Sequence, residues 1–144
     1  MASTTPPAPV TRLAHTCIRT SNLSTTHRFY CDVLGMEHLF DFFRAGEVVG
    51  SYFKITEGQY IEVFYEPRIE TDSGSHVLFH FCLECADIHA TRQKLVDAGY
   101  KPEEIKLGKD QTYQFWVTDP NGMRVEFQQY TPSSSQFTGQ AVVW

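Results

Sequence analysis

The chain has 144 residues, 42% of them hydrophobic, and 17 acidic against 12 basic side chains give it a formal charge of -5. That is one domain's worth of core. The acidic balance, without any basic stripe, argues against a nucleic-acid partner, and no apolar run is long enough to span a bilayer.

Residues 1–9 are small, polar and Pro-rich, with neither a basic nor an apolar segment of the secretory kind, so a disordered leader is expected. A β-rich run from Leu13 passes through His15, Cys17 and Arg19 and ends at Asn22, an Asx residue suited to cap a helix over 23–34. Gly35 stands where a left-handed stop belongs. Aromatic and β-branched residues over 37–55 predict strands, and Glu57-Gly58 is a turn that opens a last strand carrying Glu62. Residues 67–74 form a polar link. A second β-rich run then passes through His80, Cys82 and Glu84 to Asp87, which caps a helix over 88–98 stopped by Gly99. Strand signals follow at 113–118, and Asp119-Pro120-Asn121-Gly122 is a strong hairpin turn leading to a strand with Glu126. Residues 131–144 are a Pro-, Ser- and Gly-containing tail whose Ala141-Val142-Val143-Trp144 end either covers a neighbouring subunit or frays.

The two halves repeat each other. His15 and His80, like Cys17 and Cys82, are 65 residues apart; Glu62 and Glu126, like Gly58 and Gly122, are 64 apart. Each half therefore reads β-α-β-β-β, with modules 10–66 and 75–130. Neither half alone has enough surface to bury, so the two are expected to pack on each other or on a partner chain. The predicted class is α+β, two βαβββ modules forming a curved, barrel-like mixed sheet around a metal site.

A lone strand histidine is usually a packed or edge residue, and a lone strand glutamate usually faces water. Packing does not require both types to recur at matching places in the two repeats. If the halves meet across a pseudo-two-fold, His15, Glu62, His80 and Glu126 converge as two imidazoles and two carboxylates, a ligand set for a divalent transition ion. His76, four residues before His80, is a competing ligand, but its repeat partner is Thr11, which cannot bind a metal. Cys17 and Cys82 are a second competitor and would favour a closed zinc site. Cys82 and Cys85 should lie on opposite strand faces, so their C-x-x-C spacing is read as accidental. Four cysteines in a chain able to build its own core call for no disulfide framework, which fits a cytoplasmic setting.

Three strings, Leu13-Ala14-His15-Thr16-Cys17-Ile18-Arg19, Phe29-Tyr30-Cys31-Asp32-Val33-Leu34-Gly35-Met36 and Asp119-Pro120-Asn121-Gly122-Met123-Arg124-Val125-Glu126, resemble the vicinal oxygen chelate superfamily, and within it bacterial glyoxalase I. The resemblance implies a metal-dependent lyase or isomerase that moves a proton through an enediolate on a hemithioacetal of a thiol and a 2-oxoaldehyde. It implies His15, Glu62, His80 and Glu126 as ligands, with Glu126 as base and Glu62 holding the metal or returning the proton. It places Arg19 near the glutathione carboxylate site, and it suggests nickel or cobalt, with zinc, manganese or iron as alternatives. It also suggests a homodimer, some relatives placing the ligands on two chains. The family's glutathione-contacting Asn is Glu66 here, and the Gly-rich segment before the last hairpin is reduced to 107–111. Together with Lys109, Gln114 and Trp116 as substrate contacts, these departures suit a keto-sugar or other hydroxyketone as the alternative substrate. An iron-dependent dioxygenase and a non-catalytic resistance protein are the remaining readings.

Overall fold

The computed structural model describes residues 10, 12–69, 78 and 80–143; the leader 1–9, His76 and most of the link lie outside them. Two four-stranded mixed sheets carry the repeat. In the first, β1 (His15–Thr20), β2 (Glu37–Arg44), β3 (Glu47–Thr56) and β4 (Gln59–Tyr65) lie in the order β1-β4-β3-β2. In the second, β5 (Phe81–Glu84), β6 (Lys106–Leu107), β7 (Tyr113–Thr118) and β8 (Arg124–Gln129) lie in the order β5-β8-β7-β6. The first strand of each module runs parallel to its last, and the other pairings are antiparallel. The α+β architecture of paired βαβββ units is thus realised as two separate sheets.

The helices begin where the Asx residues direct. The Asn22 carboxamide accepts from the Thr25 amide at 3.1 Å, and the Asp87 carboxylate from the Ala90 amide at 2.9 Å. Helix α2 spans Ile88–Asp97. The first helix departs from a simple α-helix: α1 covers Leu23–His27 and then widens into π-helical turns over Arg28–Val33. The wider turns let both Phe29 and Tyr30 point into the core, where each is wholly buried. Gly35 and Gly99 follow the two helices at φ +78° and +89°, the left-handed stop that costs any other residue energy.

One core joins the modules. Ile18, Phe29, Tyr30, Phe53, Ile61 and Val63 from the first pack in a single cluster with Leu83, Ile88, Leu95, Phe115, Val125 and Phe127 from the second. Burying a side chain of this size contributes about 1.5–3 kcal/mol. Polar ties cross the same boundary. The Tyr30 hydroxyl donates to Asp119 Oδ2 at 2.7 Å, and the Arg28 guanidinium reaches the Ala98 carbonyl and the Tyr100 hydroxyl. The modules therefore meet through their helix-side faces, and strand alternation turns His15, Cys17 and Arg19 the other way.

The tail is not loose over its described length. Thr131 and Ser134 hydroxyls donate to the Gln111 carbonyl, the Ser135 amide donates to the Asp110 carbonyl, and Phe137 packs on Tyr130. A short helix α3 (Ser135–Thr138) completes that dock on the chain's own β6–β7 loop; Trp144 lies outside the described residues.

Candidate metal centre

Both modules place the same side chains in the same register. In the first, Cys17 is level with Glu62 on the neighbouring strand, Tyr52 flanks Glu62 on the other side, and His15 lies two residues earlier on β1. In the second, Cys82 and Trp116 flank Glu126 in the same way, with His80 just before β5. His15 Nε2 stands 3.8 Å from Glu62 Oε2, and His80 Nε2 stands 3.2 Å from Glu126 Oε2. An aromatic edge contact fixes each imidazole: Tyr52 against His15 at 6.0 Å between ring centres, and Trp116 against His80 at 4.6 Å.

Two donors at ordinary ligand distance on adjacent corners of one ion lie about 3 Å apart. Each His–Glu pair is close to that spacing, and imidazole with carboxylate is a donor set for divalent transition metals, so the residues fit a metal. The four do not gather within one chain: among the described residues no three His, Cys, Asp or Glu side chains form a group able to hold an ion. His15 and His80 do line one groove of about 740 Å³ between β1 and β5, with Cys17, Tyr60, Cys82 and Glu84.

Burial and the adjoining Glu126 carboxylate push the Cys82 thiol up to about 12, and burial with Glu62 raises Cys17 as well. All four cysteines are free thiols. Cys82 opens to the groove, whereas Cys85 packs against the core and its thiol reaches the Gln128 carbonyl, so the C-x-x-C pair is split between faces as expected.

The remaining predicted contacts are scattered. Arg19 lines a second recess of about 440 Å³ with Arg44, Phe64 and Glu66. Lys109 donates to the Val143 carbonyl at 3.2 Å and so belongs to the tail dock. Trp116 lies between His80 and the Arg124 guanidinium, which stands 4.6 Å over its ring. Gln114 sits in a polar row across the second sheet, Glu84–Gln128–Gln114–Lys106.

Sequence reasoning missed Tyr52, Phe42, Phe64, Arg44 and Gln128. The equivalent row of the first sheet is Arg19–Phe64–Gly50–Phe42, in which Phe42 packs on Phe64 at 4.8 Å; in the row that holds Glu62, Tyr52 stacks on Phe40 at 4.9 Å. The 64-residue offset that relates Glu62 to Glu126 also relates Tyr52 to Trp116, so the repeat held that signal. Arg44 carried none.

A family model described as the Glyoxalase/Bleomycin resistance protein/Dioxygenase superfamily matches residues 12–127, which takes in both modules. The chain belongs to this superfamily. A member from Synechocystis sp. named "probable lactoylglutathione lyase" is 33% identical over 123 residues, covering 79% of this chain and 92% of that protein. Among solved structures, a lactoylglutathione lyase from Agrobacterium tumefaciens superposes with a TM-score of 0.65 at 20% identity, over 85% of this chain and 96% of the other. A glyoxalase/dioxygenase from Nostoc punctiforme reaches 0.72 at 15% identity, over 91% and 99%. At these identities the solved members share the superfamily's fold. No helix of the described chain is long and apolar enough to cross a membrane.

Proposed function

We propose that the protein is a divalent-metal-dependent lyase or isomerase of the glyoxalase I type, acting as a cytoplasmic homodimer. His15 and Glu62 of one chain would complete the ligand set with His80 and Glu126 of its partner. The observation that carries this reading is the repeated His–Glu pair, each spaced for adjacent positions on one ion and, among the described residues, not joined by the other pair in one chain. A bound ion, nickel or cobalt before zinc, manganese or iron, would supply Lewis-acid polarisation of the substrate's oxygens.

The chain's own residues do the rest. A glutamate takes the proton from the hydroxyl-bearing carbon, and the C–H electron pair enters the carbon–carbon bond as the carbonyl pair moves to oxygen. The proton returns to the neighbouring carbon and the hydroxyl proton passes to the former carbonyl oxygen, so a hemithioacetal becomes a 2-hydroxyacyl thioester without any oxidant. Arg19 and Arg44 put two guanidinium groups beside the single carboxylate of Glu66, leaving that recess attractive to an anionic end such as a tripeptide carboxylate.

The test is turnover of the methylglyoxal–glutathione hemithioacetal by apo protein reloaded with nickel, cobalt, manganese, zinc or iron(II). Metal-dependent thioester formation is expected. Sharing of the site is tested by mixing His15→Ala with His80→Ala chains. In a homodimer with shared sites, half the dimers are mixed and each restores one of its two sites, giving roughly a quarter of wild-type activity. A site contained in one chain gives no restoration.

The polar row Glu84–Gln128–Gln114–Lys106 favours a second reading, an isomerase or epimerase of a keto-sugar or other hydroxyketone. Silence with the hemithioacetal, in a protein that binds metal and exchanges the α-proton of a hydroxyketone, would select it.

A further inference from the structure

The two glutamates of the repeat are equivalent in register but not in surroundings. Glu126 Oε1 accepts a hydrogen bond from Gln128 Nε2 at 3.1 Å, while its Oε2 faces His80, and only 9% of its side chain is exposed. The position equivalent to Gln128 beside Glu62 is Phe64, whose ring packs on Phe42 and has no polar hydrogen to donate. Glu62 is 20% exposed and lies at the longer distance of 3.8 Å from its histidine. Tyr52 and Tyr60, whose rings pack together, lie beside it on the neighbouring strand and on its own.

On the metal-centre reading above, we infer that Gln128 is a positioning residue that clamps Glu126 as a fixed ligand and leaves Glu62 as the mobile carboxylate that moves the proton. Releasing Glu126 from an ion would mean breaking or dragging a charge-assisted hydrogen bond in a nearly buried place, whereas Glu62, beside the weaker thiol donor of Cys17 and the rings of Tyr52 and Tyr60, can rotate without losing an amide donor. The base role expected of Glu126 from the sequence thus passes to Glu62. In the step itself the substrate C–H bond breaks, the proton goes to the Glu62 carboxylate, and the electron pair enters the enediolate. Glu62 then delivers the same proton to the neighbouring carbon, and the hydroxyl proton passes to the former carbonyl oxygen.

The experiment measures nickel and cobalt affinity by calorimetry and the visible spectrum of the cobalt-loaded protein, beside α-proton exchange in deuterated buffer. Gln128→Met keeps length and removes the donor. It should weaken metal binding 10- to 100-fold and alter the cobalt spectrum, while circular dichroism stays unchanged. Gln128→Leu serves as a second variant if the methionine form does not fold. Glu126→Gln should lose metal more severely. Glu62→Gln should bind metal within about tenfold of wild type yet lose proton exchange. Phe64→Gln, which gives Glu62 a matching amide, should slow exchange while preserving affinity. Unchanged metal affinity and spectrum in folded Gln128→Met would overturn the clamp, as would a Glu126→Gln protein that keeps its metal and loses exchange while Glu62→Gln remains active. Wild-type protein that binds neither metal would instead overturn the metal-centre reading on which the inference stands.

Discussion

Tyr30→Phe removes a single oxygen from the boundary between the modules and leaves no cavity. Tyr30 is wholly buried, and its hydroxyl donates at 2.7 Å to Asp119 Oδ2, in a residue only 4% exposed. The other Asp119 oxygen accepts the backbone amides of Asn121 and Met123, both at 2.8 Å, and the Asn121 side-chain amide remains near Oδ2 at 3.3 Å. A hydrogen bond to a charged acceptor is worth about 1.5–3 kcal/mol, and the remaining Asn121 donor places the expected loss near 2 kcal/mol. For a chain of this length that lowers Tm by about 6–8 °C. Thermal melting by circular dichroism, with a Tyr30/Asp119 double-mutant cycle, measures it. Burial first, and then the Asp119 charge, hold the Tyr30 phenol well above its usual range. The folded state therefore retains this proton when the unfolded chain begins to release it, and the stability contributed is present below about pH 10 and lost as pH climbs beyond. The gap between wild type and Tyr30→Phe should narrow in that range. A loss under 1 °C at neutral pH would refute the claim that this bond ties the Glu126-bearing hairpin to α1.

Asp41 accepts from Ser51 Oγ at 2.8 Å and lies 2.7 Å from His38 Nε2. Burial pushes its carboxyl up, but Ser51 and His38 outweigh that and hold it below its ordinary value of 3.8. Asp41→Asn should cost stability at pH 6, and the difference should vanish as acid passes below about pH 4 and protonates the native carboxylate, as urea titrations at several pH values would record. Gly50→Ala places a Cβ 2.5 Å from the Val63 carbonyl oxygen and 2.8 Å from the Phe64 ring. The carbonyl belongs to strand β4 and cannot move freely, so about 1–3 kcal/mol of destabilisation by urea unfolding is expected, with the Phe64 ring displaced.

The aromatic side chains around Glu62 on the first sheet and the polar row on the second bear on what enters the site. A small oxygen-bearing head between the sheets would meet rings on the side of Glu62 and amides on the side of Glu126. Phe64 and Tyr52 flank the carboxylate inferred to move the proton, on its own strand and on the neighbouring one. On the proposal above, the Arg19–Arg44 recess would hold an anionic extension of the substrate.

The sequence by itself determined the repeat, both Asx caps and both glycine stops. These are local or periodic features: a cap reaches three residues, a strand face alternates every two, and an internal duplication repeats both. The strand over 113–118 was legible for the same reason. What it could not determine depends on how the faces meet. The widening of α1 into π-helical turns follows from burying Phe29 and Tyr30 together against the second module, a demand that exists only after docking. The separation of the two His–Glu pairs within one chain is likewise tertiary, because the same register would serve a single closed barrel or two half-sites. The clamp on Glu126 arises because Gln128 shares its strand face and lies within hydrogen-bond reach, while the duplicate position holds a phenylalanine. The repeat points to the candidate ligands, but only their neighbours in space distinguish the surroundings of Glu62 from those of Glu126.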